Sequence, residues 1–67
     1  MKLEQEAREY ALAKKKQFNE ELRDLQSNMI RYLRANLYES HELDNAIRQL
    51  HSSILWAEEA GELHGIK

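Results

Sequence analysis

Between Met1 and Ala60 the chain contains neither a proline nor a glycine; its two glycines are Gly61 and Gly65. No position in that span lacks its N–H or its Cβ, so backbone chemistry alone nowhere interrupts a helix. Ala, Leu, Glu, Lys, Arg and Gln dominate, and these are the residues that lose least on entering a helix. At 67 residues the chain lies near the lower limit for folding alone, and with no cysteine it has no disulfide to supplement a small core. Two routes to stability remain: a tight helical hairpin, or an oligomer.

The apolar spacing gives the hairpin. Phe18, Leu22, Leu25, Met29 and Tyr32 step by four, three, four and three, the alternation of a coiled-coil-like seam. Ile30, Leu33 and Leu37 form a second strip beside it, so this helix faces more than one neighbour. In "NLYESHELD" Asn36 can end the first helix, Ser40 is a good N-cap, and Glu42 and Asp44 place negative charge at the start of the second. Leu43, Ile47, Leu50, Ile54 and Ala57 then repeat the four-three alternation, and Gly61 is a natural stop. The expected fold is all-α, with one helical domain over 1–67. A long first helix covers about 3–38, a turn about 38–41, a second helix about 41–61 and a frayed or weakly docked tail 62–67.

The helices differ in length. At 1.5 Å per residue the first spans roughly 54 Å and the second roughly 31 Å, so the second reaches back only to about residue 17 of the first. Leu3, Ala7, Tyr10 and Ala11 therefore overhang while continuing the apolar face. That segment either bends onto its own hairpin or packs on another chain. Trp56 points the same way, lying about 180° from Ile47 on the side of Ala60 and Leu63. A large ring opposite a complete seam marks a contact between subunits; the alternatives are incidental exposure and base stacking in a ligand site. Trp56, Ala60 and Leu63 are thus the candidate oligomer interface.

Charge narrows the function classes. A formal net charge of −2 argues against a coat for polymeric nucleic acid, which carries a basic excess. The start "MKLEQEAREY" has charges where a signal peptide needs an apolar run, and no stretch approaches membrane-spanning length; a cytoplasmic, membrane-free protein is expected. His41 and His64 have no partners at metal-ligand spacing, and no metal or cofactor is expected. "RANLYESH" resembles the Arg and His spacing of HEPN-type ribonucleases but straddles the turn. "SHELD" resembles the S-x-E-L-D motif of small helical-hairpin phosphatases, though Ser with an acid at a helix start is ordinary capping. Glu58, Glu59 and Glu62 read as solubilising charge, with no base, nucleophile or metal partner beside them. The chain is expected to be no enzyme.

The segment "AIRQLHSSILWAEEA" carries a resemblance. Ala46, Ile47, Leu50, Leu55, Trp56, Ala57 and Ala60 follow a pattern A-I-x-x-L-x-x-x-x-L-W-A-x-x-A. It resembles the final helix of phage anti-CBASS proteins of the second type, sponges that sequester the cyclic oligonucleotide signals of bacterial antiphage immunity. Arg48 stands where that family often has a small hydroxyl residue, and Ser52 and Ser53 replace a usual Glu-Ala pair. The resemblance implies a compact homo-oligomer, a hexamer, that binds a cyclic di- or trinucleotide between protomers without cleaving it. It also implies an aromatic and a basic contact from the N-terminal half. Such a ligand offers phosphates and flat bases, which Lys or Arg and aromatic rings can hold. Tyr10 and Lys14, four apart on one helix face, are candidates, with Lys16 from the same "KKK" run; the plain alternative is a solvated charge run. Arg48 and His51 form a second candidate cluster, with surface decoration as its alternative. The rival function is a helical module that binds or inhibits a partner protein.

Overall fold

The computed structural model describes residues 2–67, without the side chains of Lys2 and Glu4; Met1, the first residue of the expected domain, lies outside them. Helix α1 runs Lys2–Asn36 and helix α2 runs His41–His64. They pack as an antiparallel hairpin 56 Å long and only 19 by 12 Å across. α1 is one uninterrupted α-helix, so the overhang does not fold back on the hairpin.

The turn is built by capping. Asn36 Nδ2 donates to the Tyr32 carbonyl at 2.8 Å, and Leu37 N–H reaches Leu33 O at 2.9 Å, satisfying carbonyls that the helix end leaves open. Ser40 takes an extended conformation, and its Oγ accepts from Leu43 N–H at 3.1 Å. Glu42 and Asp44 sit in the first turn of α2, where the helix dipole favours negative charge. α1 ends at Asn36, slightly before the expected boundary, because the Asn36 side chain takes over the role of the next turn.

On α2 the seam is the expected one. Leu43, Ile47 and Ile54 are buried, with Leu50 half-buried between them and Ala57 half-buried beyond Ile54. On α1 the expected seam is only partly right. Phe18 and Leu22 are half-buried, but Leu25, Met29 and Tyr32 are 65, 51 and 67% exposed. From Leu22 onward the covered row is Gln26, Ile30 and Leu33. Two apolar strips run along this helix, and only one can face a single short partner. The covered row allows Arg23, on its flank, to reach Glu58 across the seam. Arg23 Nη2 lies 3.1 Å from Oε1 and donates to Oε2 at 3.3 Å. Lys15 likewise pairs with Glu62. Glu58 and Glu62 are therefore cross-helix partners as well as solubilising charge.

The C-terminal end also corrects the expected boundary. α2 continues through Gly61 to His64 and is capped by Gly65, whose φ of 84° suits glycine and whose N–H reaches Gly61 O at 3.0 Å. The turn swings Ile66 back onto the hairpin, where it is half-buried. A Cβ added at Gly61 would lie 3.4 Å from Ile66 Cγ1 and 3.6 Å from Phe18 Cε1. The tail thus docks through Ile66 rather than fraying.

Candidate functional site

Where α2 ends against the middle of α1, the docked tail and α1 form a groove of about 450 Å³. Its walls include Tyr10, Lys14, Lys15, Glu62, Gly65 and Ile66. The Lys14 ammonium lies 5.8 Å from the Tyr10 ring centroid, within cation–π range. Helical spacing makes the two neighbours; the Gly65 turn supplies the opposite wall. Lys15 turns inward to Glu62, so its charge is matched. Lys14, half-buried by its stem, is left as the groove's ammonium. A planar ring beside an ammonium suits a ligand with a flat base and a phosphate.

The other candidates fall elsewhere. Lys16 opens onto an adjoining groove of about 400 Å³, which shares Leu12 and Lys15 with the first and adds Asn19, Glu20 and Arg23, because two helical positions from Lys14 mean a turn of about 200°. His51 stands about 16 Å along α2 from Glu62 at 1.5 Å per residue. Its Nδ1 accepts a hydrogen bond from the Gln26 side-chain amide, which orients the ring toward the seam. Arg48 is exposed three residues earlier. Arg48 and His51 therefore share no single-chain pocket with Tyr10 and Lys14. Trp56 is 70% exposed and Leu63 67%, with Ala60 exposed beside them. Ala60 also borders a groove with Phe18, Gly61 and Ile66, while Trp56 and Leu63 stand mostly in solvent.

Four residues take roles that the sequence reading did not assign to them. Lys15 and Glu62 form the groove's floor pair; the signal was Lys15 lying seven residues before Leu22, on the covered row. Gln26 is the buried polar residue of the seam, at 9% exposure, and its signal was the four-four-three spacing Leu22, Gln26, Ile30, Leu33. Ile66 closes the groove, signalled only by an apolar residue directly after Gly65. Among the described residues no three His, Asp or Glu side chains converge where they could hold a metal ion, and no helix is long and apolar enough to cross a membrane.

Comparison with protein-family models, with curated proteins and with solved structures finds no match to this chain.

Proposed function

We propose that the chain is a sponge that binds and sequesters a cyclic di- or trinucleotide messenger of bacterial antiphage immunity, acting by binding alone in the host cytoplasm. The observation that carries this reading is the Tyr10–Lys14 pair on the rim of the tail groove. The ring is a platform for a base and the ammonium a partner for a phosphate. The pattern over residues 46–60 supports it, as does the Trp56, Ala60 and Leu63 face, which offers a surface for joining protomers into a hexamer on the family's plan. In such an assembly Arg48 and His51 would approach the ligand from a neighbouring protomer, with Lys16 outside the pocket. A sponge needs affinity and copy number and no turnover.

Calorimetry against a panel of cyclic di- and trinucleotides tests the reading. Saturable heat with at least one member is expected. Tyr10→Ala should then weaken binding by roughly 5- to 160-fold, in keeping with about 1–3 kcal/mol for a stacked base. Lys16→Ala should leave it within about 2-fold, since an exposed charge outside the pocket contributes little. Flat titrations across the panel with folded protein would end the proposal. They would favour a helical protein-interaction or inhibitor module, a reading that draws on the exposed Trp56 and Leu63 face alone.

A further inference from the structure

The outward line of α1 meets its own hairpin only around Phe18, where the docked tail residues Ile66 and Lys67 lie beside it, and meets the groove's walls only at Ala11 and Lys14. Leu25, Met29 and Tyr32 lie on it, all more than half exposed. At 100° per residue the same line continues toward the N-terminus through Phe18, Ala11, Ala7 and Leu3, and Leu3 is 82% exposed. α1 thus carries two uncovered apolar segments on one side, one before and one after Phe18. Lys14 and Glu21 flank the line at equal distances from the point between Gln17 and Phe18.

We infer that this line is a self-association surface on which two copies pair their α1 helices antiparallel, about a twofold axis between Gln17 and Phe18. In that register Lys14 of each copy faces Glu21 of the other, so opposite charges meet twice. A parallel pairing would set Lys14 on Lys14 and Glu21 on Glu21. The antiparallel register also lays the overhang of one copy along the stripe of the next. Tyr32 meets the second copy's Leu3 and Leu25 its Tyr10, while Met29 falls within one residue, about 1.5 Å along the axis, of its Ala7. Each uncovered segment is covered by the other kind, as an isologous contact requires.

The area agrees. The chain exposes 6082 Å², whereas a compact monomer of 8.0 kDa exposes about 4,500 Å². The excess, roughly 1,600 Å², is about twice the 800 Å² that each partner buries in a stable interface of standard size. One interface on α1 and another on the Trp56 face would account for it. The pairing shares Tyr10 and Lys14 with the groove of the nucleotide reading, but its test requires no nucleotide.

Because the chain has no cysteine, single-cysteine variants report the register directly. An oxidised mixture of Ala7→Cys and Met29→Cys should give the mixed cross-link at least about tenfold above either variant alone. It should also exceed a mixture of Ala7→Cys with Ser27→Cys, whose cysteine lies on the opposite side of α1. Ala7, Glu21, Ser27 and Met29 are exposed and Lys14 is half-buried only through its stem, so the hairpin should remain folded. Glu21→Lys should lower the mixed cross-link, and adding Lys14→Glu should restore it. Equal yields with the Ser27→Cys control, Met29→Cys linking to itself as readily, or no rescue by the charge swap would overturn the pairing.

Discussion

The two sides of the seam are unlike. α2 brings a regular apolar ladder of Leu43, Ile47, Leu50, Ile54 and Ala57; α1 answers with Lys15, Phe18, Asn19, Leu22, Gln26, Ile30 and Leu33. The α2 ladder runs the length of its helix, and its only rival, the Trp56, Ala60 and Leu63 face, is confined to the C-terminal end, so its buried face follows from spacing. α1 offers two apolar strips, and the choice between them rests on side chains that spacing does not rank. These are the Arg23–Glu58 and Lys15–Glu62 pairs and the Gln26–His51 contact. The α2 side supplies most of the fully covered apolar surface, while the α1 side sets the register and leaves one strip free.

The strongest way to break that contrast is to cut matched residues on the two sides. Ile47→Ala removes a side chain that is 8% exposed and should cost about 2–5 kcal/mol. A chain of this size is stabilised by only roughly 3–10 kcal/mol, so denaturant unfolding should show a hairpin near the edge of folding. Leu25→Ala, on the free strip, should shift a monomeric hairpin by no more than about 0.5 kcal/mol. Equal losses would mean that the wrong strip has been placed in the seam.

Smaller effects sharpen the picture at the two ends. Ser40→Ala removes the acceptor for Leu43 N–H and should lower stability by about 1 kcal/mol. Gln26→Leu should leave stability unchanged or raise it by up to about 1 kcal/mol, since an apolar isostere replaces a buried amide and His51, exposed, can turn to water. Double-cysteine labelling across the seam should then show a less uniform register, because a lone buried polar residue is a device for fixing one. Gly61→Ala should stabilise by about 0.5–1 kcal/mol through helix propensity, the space beside Ile66 and Phe18 being wide enough for a methyl group. These changes are read from shifts in the urea midpoint at constant slope.

Much of the hairpin was legible because its signals are local. Ser40 with Glu42 and Asp44 announces a helix start, and the ladder from Leu43 to Ala57 can be read without knowing its partner. Leu25, Met29 and Tyr32 misled for a physical reason: they form a better apolar row than Gln26, Ile30 and Leu33. The row that is covered instead carries the Arg23–Glu58 and Lys15–Glu62 pairs beside it, whose partners lie far apart in sequence. Of the groove, Tyr10 and Lys14 were visible as helical neighbours. The opposite wall was not, because it depends on α2 passing through Gly61 and turning at Gly65. A glycine that can end a helix and a glycine that does so look alike until the next residues find something to pack on; here Ile66 finds Gly61 and Phe18.

The central claim is that a single copy leaves apolar helix surface uncovered on both its faces, and that copies meet there. Sedimentation equilibrium at micromolar concentration, with Trp56 emission recorded on the same samples, tests it most directly. A mass that is a multiple of 8.0 kDa, with emission shifted to the blue of indole in water, is the expected result. A helical species of 8.0 kDa with water-like Trp56 emission across the concentration range would contradict it.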